Sequence, residues 1–324
     1  MRPFAIGLIV FLTGPLWMIG GEPEPRLKVR QDPLTGQFLI TDQNRPVLQY
    51  NYFTVEIDRA AWQKVTPENQ KYACARSNYI HPLFGMEGEE LTRDWPVDHP
   101  HHRGIYWAWP EVGFANELGD LHALQKIFAR PTGKFETRDG NEAAEIRAEN
   151  HWLWLDRQPI VHERAIIRAL PIGTEARVVD LRFEIKALVE GVTVARRGTD
   201  KYGGLNARFA SMEQQAISVH TDAATSRPRR SWAQLSGIFP GSKTATALAI
   251  FQKTSNPNYP GDWVQFPELN WLQPVFPAAG TRYKLMTNAP LVLEFRIWIR
   301  RGVPFAHPEC VEHWEKYNAL NRNQ

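Results

Sequence analysis

Val179-Asp180-Leu181-Arg182-Phe183-Glu184-Ile185-Lys186 alternates apolar and charged residues without a break. Successive side chains of a β-strand point to opposite faces, so this pattern predicts a strand with one buried and one solvated face. The same alternation recurs late in the chain, between Leu291 and Arg300. The buried face of this second strand is predicted to carry Leu291, Leu293, Phe295, Ile297 and Ile299.

Strand patterns also dominate the rest of the chain. The stretches from Ala144 to Leu155 and from Ile160 to Ala169 read as two strands joined by a turn at 156–159. A C-terminal helix is predicted from Pro308 to Leu320. Many strands without interleaved helices predict an all-β fold, a large antiparallel β-sandwich with this short helix. Further strands are predicted at 37–41, 46–57, 134–138, 205–209, 215–220, 245–251 and 281–287.

Composition and charge exclude several classes of protein. The 324 residues are 43% hydrophobic and carry a net charge of +3, with acidic and basic residues interspersed. The one basic run, Arg227-Pro228-Arg229-Arg230, is short, so we expect no nucleic-acid partner. The sequence lacks a Gly-x-Gly-x-x-Gly dinucleotide motif, a P-loop and a Gly-x-Ser-x-Gly nucleophile elbow.

The N-terminus has the features of a secretory signal peptide. Arg2 precedes an apolar stretch over 4–12, and small residues follow at Gly20-Gly21. We therefore expect a signal peptide at 1–21, a single domain at 22–324, and a secreted or periplasmic protein without a membrane span after cleavage. The alternative is an uncleaved N-terminal anchor.

The sequence contains two cysteines, Cys74 and Cys310. An oxidising compartment would permit a disulfide between them. Two separate free thiols are the alternative, and the sequence alone does not decide between the two.

Asp98-His99-Pro100-His101-His102-Arg103-Gly104 holds three of the ten histidines within four positions. Imidazole exchanges protons near neutral pH and is a frequent metal ligand. In an extended chain, His99 and His101 would point one way and His102 the other, unless a bend at Pro100 gathers all three. The alternative to a functional site is a hydrogen-bonded turn that joins two strands. A metal site would need a further ligand from His81, Asp94 or Asp98.

Two further segments combine polar and aromatic residues. Lys201 and Arg208 flank Gly203-Gly204, and a rigid loop runs from Ser255 to Trp263. We predict substrate contacts from both segments, although Lys201 and Arg208 could equally form a solvated strand end. Trp107 is a candidate platform for a sugar ring, with a place in the core as the alternative. The candidate substrate-binding residues are His81, Asp98, Arg103, Trp107, Lys201, Arg208, Asn256, Tyr259 and Trp263. The histidines treated as structural are His122, His151, His162, His220, His307 and His313.

Four of these motifs together resemble the PmoA-like family of unknown function, sometimes labelled "methane oxygenase PmoA". The motifs are His81–Gly85, Asp98–Trp109, Lys201–Leu205 and Phe295–Gly302, and the resemblance covers roughly 27–305. It implies a β-supersandwich similar to galactose mutarotases, in which paired histidines and a carboxylate act at the anomeric centre of a sugar. The mutarotase motifs themselves are absent. Methane monooxygenase chemistry is not implied, because the membrane subunit of that enzyme needs several membrane helices.

These observations predict an exported carbohydrate-active protein. The leading hypothesis is an epimerase, isomerase or lyase that needs no cofactor, in which His99 and His101 act as acid and base and His102 completes the site. One alternative is a non-catalytic module that binds a sugar or docks with a partner. The other is a metal-dependent lyase or hydrolase of oxidised sugars, in which His99, His101 and His102 bind a divalent metal.

Overall fold

The computed structural model describes residues 24–220 and 230–319. The predicted signal peptide at 1–21 and residues 227–229 of the basic run lie outside the described residues. Twenty strands and two α-helices make up most of the described chain. The helices are α1 (Arg59–Lys64) and α2 (His307–Ala319).

The strands agree with most of the alternating patterns and extend several of them, although the strand predicted at 46–57 is shorter than expected, because it ends at Asn51. In chain order they are β1 (Leu27–Gln31), β2 (Phe38–Asp42), β3 (Arg45–Asn51), β4 (Tyr79–Leu83), β5 (Ile105–Ala108), β6 (Glu111–Phe114), β7 (Glu117–Gly119), β8 (Ile127–Arg138), β9 (Ala144–Trp154), β10 (Gln158–Ile172), β11 (Ala176–Ala187), β12 (Thr193–Ala195), β13 (Gly204–Arg208), β14 (Glu213–His220), β15 (Trp232–Ile238), β16 (Thr246–Gln252), β17 (Trp263–Phe266), β18 (Trp271–Pro274), β19 (Arg282–Lys284) and β20 (Leu291–Arg301).

The strands form two eight-stranded sheets and one four-stranded sheet. The first sheet has the order β1-β2-β3-β4-β5-β13-β18-β17, and the second has the order β14-β15-β16-β20-β11-β10-β9-β8. The small sheet has the order β19-β12-β6-β7. The pairings between neighbouring strands are antiparallel, for example β11 with β10 and with β20. The predicted all-β antiparallel sandwich is therefore confirmed.

The core lies between the two large sheets. In β11, Leu181, Phe183 and Ile185 are buried while the residues between them are half-exposed. They belong to one apolar cluster that also contains residues from the first sheet, such as Ile40 and Trp107. Burial of this inner face provides the main stabilisation, because apolar area removed from water contributes roughly 25 cal/mol per Å².

The charged residues of β11 form ion pairs across the outer face of the second sheet. Arg296 donates two hydrogen bonds to the carboxylate of Asp180, at 2.6 and 2.8 Å. Arg182 reaches Glu294 of the neighbouring strand at 3.4 Å. The Arg182–Glu294 pair is partly exposed, so it contributes little stability and mainly keeps the polar face of the strand in water.

Helix α2 covers part of that outer face. Cys310 and Tyr317 of the helix are buried against Trp232 and Phe251 of the second sheet. The predicted helix is therefore present as His307–Ala319. Cys74 and Cys310 are both free thiols. Among the described residues, no helix is long and apolar enough to cross a membrane.

The first sheet determines where the candidate site lies. Its strands β5, β13 and β18 are adjacent. Trp107 of β5 faces the core, where its ring stacks on Trp109 with the centroids 4.5 Å apart. Tyr106, its neighbour in the strand, belongs instead to a separate buried cluster with Tyr79. The outer face of these strands therefore presents polar and aromatic side chains beneath the loops that follow β4 and β7.

We expect Leu181→Ala to lower the free energy of unfolding by about 2–5 kcal/mol, because it leaves a cavity in the core between the sheets. Lys186→Ala is a matched control, since Lys186 is an exposed residue of the same strand and its loss should change stability by less than about 0.5 kcal/mol. Urea unfolding of both variants measures the difference. Equal effects would contradict the assigned faces of β11.

We expect His313 to make the protein less stable in acid. Burial, and then the charges of Arg296 and Lys316, lowers the pKa of His313 from 6.5 to about 3. Because the pKa is lower in the folded state, the stabilisation is complete above pH 6.5 and is lost as the pH falls towards 3. In His313→Phe, the pH dependence of the unfolding free energy over this window should decrease by up to about 1.4 kcal/mol per pH unit. An unchanged slope in urea titrations would show that His313 is already protonated when folded.

Candidate functional site

The floor of the candidate site is the outer face of β5, β13 and β18. Arg208 of β13 is opposite Trp271 of β18, and Asn206 of β13 is opposite Tyr106 of β5. Gln273 follows two residues after Trp271 and therefore points to the same face. All five side chains are buried. Strand alternation thus produces a row of polar and aromatic groups directly beneath the histidine loop.

The histidine loop is anchored by Arg103, whose side chain is fully buried. The guanidinium forms an ion pair with Asp94 and donates a hydrogen bond to the hydroxyl of Tyr79. It also lies 3.5 Å from the ring centroid of Trp95, and the next residue, Gly104, has a φ of +66°. A Cβ at Gly104 would lie 2.2 Å from the carbonyl oxygen of Ile80, so only glycine fits this turn.

The chain bends at Pro100 and gathers the three neighbouring histidines. The backbone amide of His102 donates to the carbonyl of His99 at 2.9 Å. The ring of His102 lies 4.9 Å from that of His99 and 4.7 Å from that of His101, measured between centroids. The bend therefore replaces the extended arrangement in which His102 would point away from the other two.

A fourth histidine, His122, joins the group from the turn after β7. Its ring centroid lies 4.6 Å from that of His101 and 5.1 Å from that of His102. One ring nitrogen from each of His101, His102 and His122 lies within 4.8 Å of the others. These three residues could hold a metal ion, and the set contains His122 where the sequence predicted His99.

Buried charged groups fix the turn that carries His122. Arg76 donates hydrogen bonds to the carbonyls of Leu121 and His122, at 3.0 and 2.5 Å. Asp120 accepts a hydrogen bond from the backbone amide of Ala123 at 2.8 Å, and its other carboxylate oxygen pairs with Arg197. Burial raises the pKa of Asp120. His122 is therefore held rigidly, and its ring lies parallel to those of Tyr106 and Trp271.

Burial keeps the three inner imidazoles neutral. Burial, followed by the positive charge of nearby groups, lowers the pKa of His101 to about 3. Burial likewise lowers the pKa values of His102 and His122 well below the ordinary range. Each neutral ring carries one lone pair that can accept a hydrogen bond or bind a metal ion.

His99 differs from the inner three because it pairs with a carboxylate at the protein surface. Its Nδ1 lies 2.8 Å from Asp98, and about two fifths of its side chain, 38%, is exposed. Arg208 donates to the same carboxylate at 3.2 Å and to Nδ1 of His102 at 3.3 Å. Burial raises the pKa of Asp98, but the hydrogen bond from His99 and the charge of Arg208 outweigh it and hold the pKa below its usual value.

Aromatic rings border the histidine cluster. Tyr72 lies 5.4 Å from His101, and Tyr202 lies 5.6 Å from His122. Both tyrosines are only partly buried. Trp271 contacts His102 from below at 5.0 Å. The cluster therefore combines flat apolar surfaces with polar groups.

The floor also contains buried polar atoms that pair with no described residue. They include both amide atoms of Asn206, Nε2 of Gln273 and Nε1 of Trp271. Nε of Arg208 and Nδ1 of His101 are also buried and have no hydrogen-bond partner among the described residues. Each buried polar group without a partner costs about 1–3 kcal/mol of stability. Several such groups close together therefore indicate a site that binds a polar ligand.

Other predicted site residues lie apart from this cluster. Asn256 forms two hydrogen bonds of 2.8 Å with the backbone of Glu294, and Trp263 donates to the carbonyl of Arg230 at 2.9 Å. Tyr259 packs near Trp314 of α2, with ring centroids 6.3 Å apart. These contacts fix the loop before β17 to the second sheet and α2.

Lys201, His81, Arg103 and Trp107 also make no ring contact with the histidine cluster. Lys201 is exposed, and its backbone carbonyl accepts a hydrogen bond from Arg196. Nδ1 of His81 lies 3.0 Å from the hydroxyl of Thr92. Arg103 anchors the histidine loop from below, while Trp107 faces the core.

The sequence analysis treats His122 as structural, whereas its ring joins the histidine cluster, and it misses the floor residues Asn206, Trp271 and Gln273. His122 lies twenty positions after His102, beyond any local ligand spacing. The sequence does place Asn206 between Lys201 and Arg208, and alternation along β13 puts it on the same face as Arg208. For Trp271 and Gln273 no local signal exists, because only the pairing of β13 with β18 brings them to the site.

Comparison with solved structures finds likenesses that are distant in sequence. A 4-α-glucanotransferase from Thermococcus litoralis is 12% identical, with 86% of this chain and 40% of that chain covered and a TM-score of 0.28. A GH36 α-galactosidase from Geobacillus stearothermophilus is 9% identical, with coverages of 85% and 41% and a TM-score of 0.33. This chain thus spans about two fifths of the length of either enzyme.

No curated protein matches the chain. One family profile does, over residues 37–315, and it is described as a family of unknown function, DUF6807. The matched range contains every strand from β2 to β20 and the whole histidine cluster. The chain therefore belongs to the DUF6807 family.

Proposed function

We propose that this protein is a carbohydrate-active enzyme that transfers a proton on a sugar, with His99 as the acid–base catalyst. The observation that carries this proposal is the hydrogen bond between Asp98 and Nδ1 of His99, at the exposed edge of the histidine cluster. The side chain of His99 is 38% exposed, so a substrate can reach it from solvent.

The pairing of Asp98 with His99 suits an acid–base role. A carboxylate that accepts the Nδ1 proton fixes the tautomer and leaves Nε2 to accept a proton. Among the described residues, none pairs with Nε2 of His99. The ring can therefore accept a proton from a sugar carbon or hydroxyl and return it, as epimerases, isomerases and lyases require.

The inner histidines have a different role in this proposal. The sequence predicts an acid or base role for His101, but its pKa of about 3 makes it a weak base and keeps it neutral. Proton transfer is most effective when the pKa of the catalytic group lies near the working pH. His101 and His102 therefore form the wall of the site. Arg208 orients the carboxylate of Asp98 by its hydrogen bond, or orients the substrate directly.

The composition of the floor supports a sugar as the substrate. Both amide atoms of Asn206, Nε2 of Gln273, Nε1 of Trp271 and Nε of Arg208 lack a partner among the described residues and supply several donors and one amide acceptor. Such a set suits a ligand with many hydroxyl groups. The rings of Tyr72 and Tyr202 supply the apolar surfaces on which a pyranose could stack.

The carboxylates near the cluster favour proton transfer over glycoside hydrolysis. A glycosidase needs two carboxyl groups placed on either side of the scissile bond. Asp98 is paired with His99 and Arg208, and Asp120 is paired with Arg197. Neither carboxylate is arranged to attack or protonate a glycosidic bond.

Export and a PmoA-like identity are part of the same proposal. The N-terminal pattern at 1–21 supports secretion or a periplasmic location, where sugars from polysaccharides are available. The motifs that resemble the PmoA-like family include Asp98–Trp109, which contains the catalytic pair. A mutarotase-like supersandwich is the finer fold that this resemblance implies.

We expect His99→Ala to slow turnover by about 10²–10⁴-fold, the usual contribution of a general acid or base. The measurement is proton NMR in D₂O with a panel of aldoses, ketoses and uronic acids. It records anomer interconversion, exchange at carbon and loss of water. Asp98→Asn should also slow turnover, because it removes the group that orients His99.

His151→Ala is the matched control, because His151 lies on β9 of the second sheet, where its ring contacts His162, and the variant should retain full activity. Circular dichroism verifies that each variant folds. Full activity in folded His99→Ala would remove the proposed role. Binding of a panel sugar without any chemical change would instead favour the sugar-binding module.

A further inference from the structure

We propose that His101, His102 and His122 bind one divalent transition-metal ion of the zinc type. Binding of the ion stands on the geometry of these three residues alone. Its role, to activate water or polarise a substrate oxygen beside His99, rests on the proposed function.

The three rings are already near the spacing that an ion requires. Their candidate ligand nitrogens lie within 4.8 Å of one another, and the ring centroids are 4.6, 4.7 and 5.1 Å apart. Zinc–nitrogen bonds of about 2.0–2.1 Å in a tetrahedral site place the nitrogens about 3.3 Å apart. To bind one ion, the ligand nitrogens must therefore approach one another by up to roughly 1.5 Å, which small side-chain rotations can supply.

The surroundings of His122 resemble those of a metal-bound histidine. The hydroxyl of Tyr106 lies 2.9 Å from Nδ1 of His122. When this hydroxyl accepts the Nδ1 proton, the lone pair of Nε2 is free to bind an ion, the usual arrangement for histidine ligands. Arg76 fixes the backbone of His122 through its carbonyl, so the ring has little freedom to turn away.

His101 and His102 each have an Nδ1 whose lone pair can serve as a metal ligand. Nδ1 of His101 is buried and has no partner among the described residues. Nδ1 of His102 faces Arg208, and a guanidinium can only donate, so this nitrogen is an acceptor. An ion bound there would replace Arg208 at Nδ1, and Arg208 would keep Asp98 as its partner.

The ligand chemistry selects the class of ion. Three neutral imidazoles suit Zn²⁺ and its neighbours in the transition series, whereas Mg²⁺ and Ca²⁺ prefer oxygen ligands. Three protein ligands leave a tetrahedral ion with one open position, as in catalytic zinc sites. His99 lies 4.9 Å from His102, so a water in that position would be close to the Asp98–His99 pair.

Titration of the chelator-treated full chain with Co²⁺ and Zn²⁺ tests the site without any sugar. We expect one Co²⁺ per chain, with the visible absorption of tetrahedral cobalt, and calorimetry should give the same stoichiometry for Zn²⁺. His101→Ala, His102→Ala and His122→Ala should each weaken binding at least 10-fold, and Tyr106→Phe should weaken it about 10-fold. His162→Ala is the control, because its ring pairs with Glu149 on the second sheet, and it should bind as the wild type does.

X-ray absorption of the zinc-loaded wild type gives a test that no folding defect can obscure. Three nitrogen ligands with imidazole scattering would support the site. No binding, binding unchanged in the three alanine variants, or an ion held mainly by carboxylates would overturn it. If the protein binds the metal but causes no chemical change in any panel sugar by proton NMR, the metal site would still stand and the result would count against the proposed function.

Discussion

The constraint on which the site depends is the two-residue period of the strands in the first sheet. Because successive side chains alternate, β5 sends Trp107 into the core and Tyr106 to the opposite face. The same alternation puts Arg208 and Trp271 on that opposite face. One set of backbone hydrogen bonds thus fixes both the apolar interior and the polar floor, and a shift of one residue in any of these strands would exchange the two.

Buried arginines then determine the shape of the loops above the floor. Arg103, paired with Asp94, holds the loop that begins after β4, and Arg76 holds the turn after β7 through backbone carbonyls. Burying such charges is costly unless they are paired, so each arginine strongly restricts the positions of its partners. The two loops approach from different parts of the chain, and the cluster of four histidines forms where they meet. The acid–base proposal uses this rigidity, because reacting groups must be held in a productive geometry. The metal proposal uses the approach of the two loops, which brings His101, His102 and His122 near the spacing that an ion requires.

Much of the fold could be predicted from the sequence, and less of the site. The strict alternation of β11 and β20 identifies their buried faces, and the C-terminal helix is visible from its starting proline. The histidine loop stands out by composition, but the sequence is compatible with both an extended chain and a bend at Pro100. His122 could not be found, because a single histidine in a turn has no local pattern, and its approach to His101 is decided by Arg76 and Asp120. Asn256, Tyr259 and Trp263 have the composition of a binding loop. Their hydrogen bonds and ring contacts, however, are with Glu294, Arg230 and Trp314 and not with the histidine cluster.

The fold class, the buried faces of the strands and the dense histidine motif can be read from the amino-acid sequence, because they depend on local periodicity and composition. Which residues meet in the site depends on how the strands pair and how the loops are anchored. The pairing of β13 with β5 and β18 brings Arg208, Tyr106 and Trp271 together across more than 160 positions of sequence. A metal ion or a sugar is recognised by groups that converge in space, and strand pairing and loop anchoring determine which groups converge.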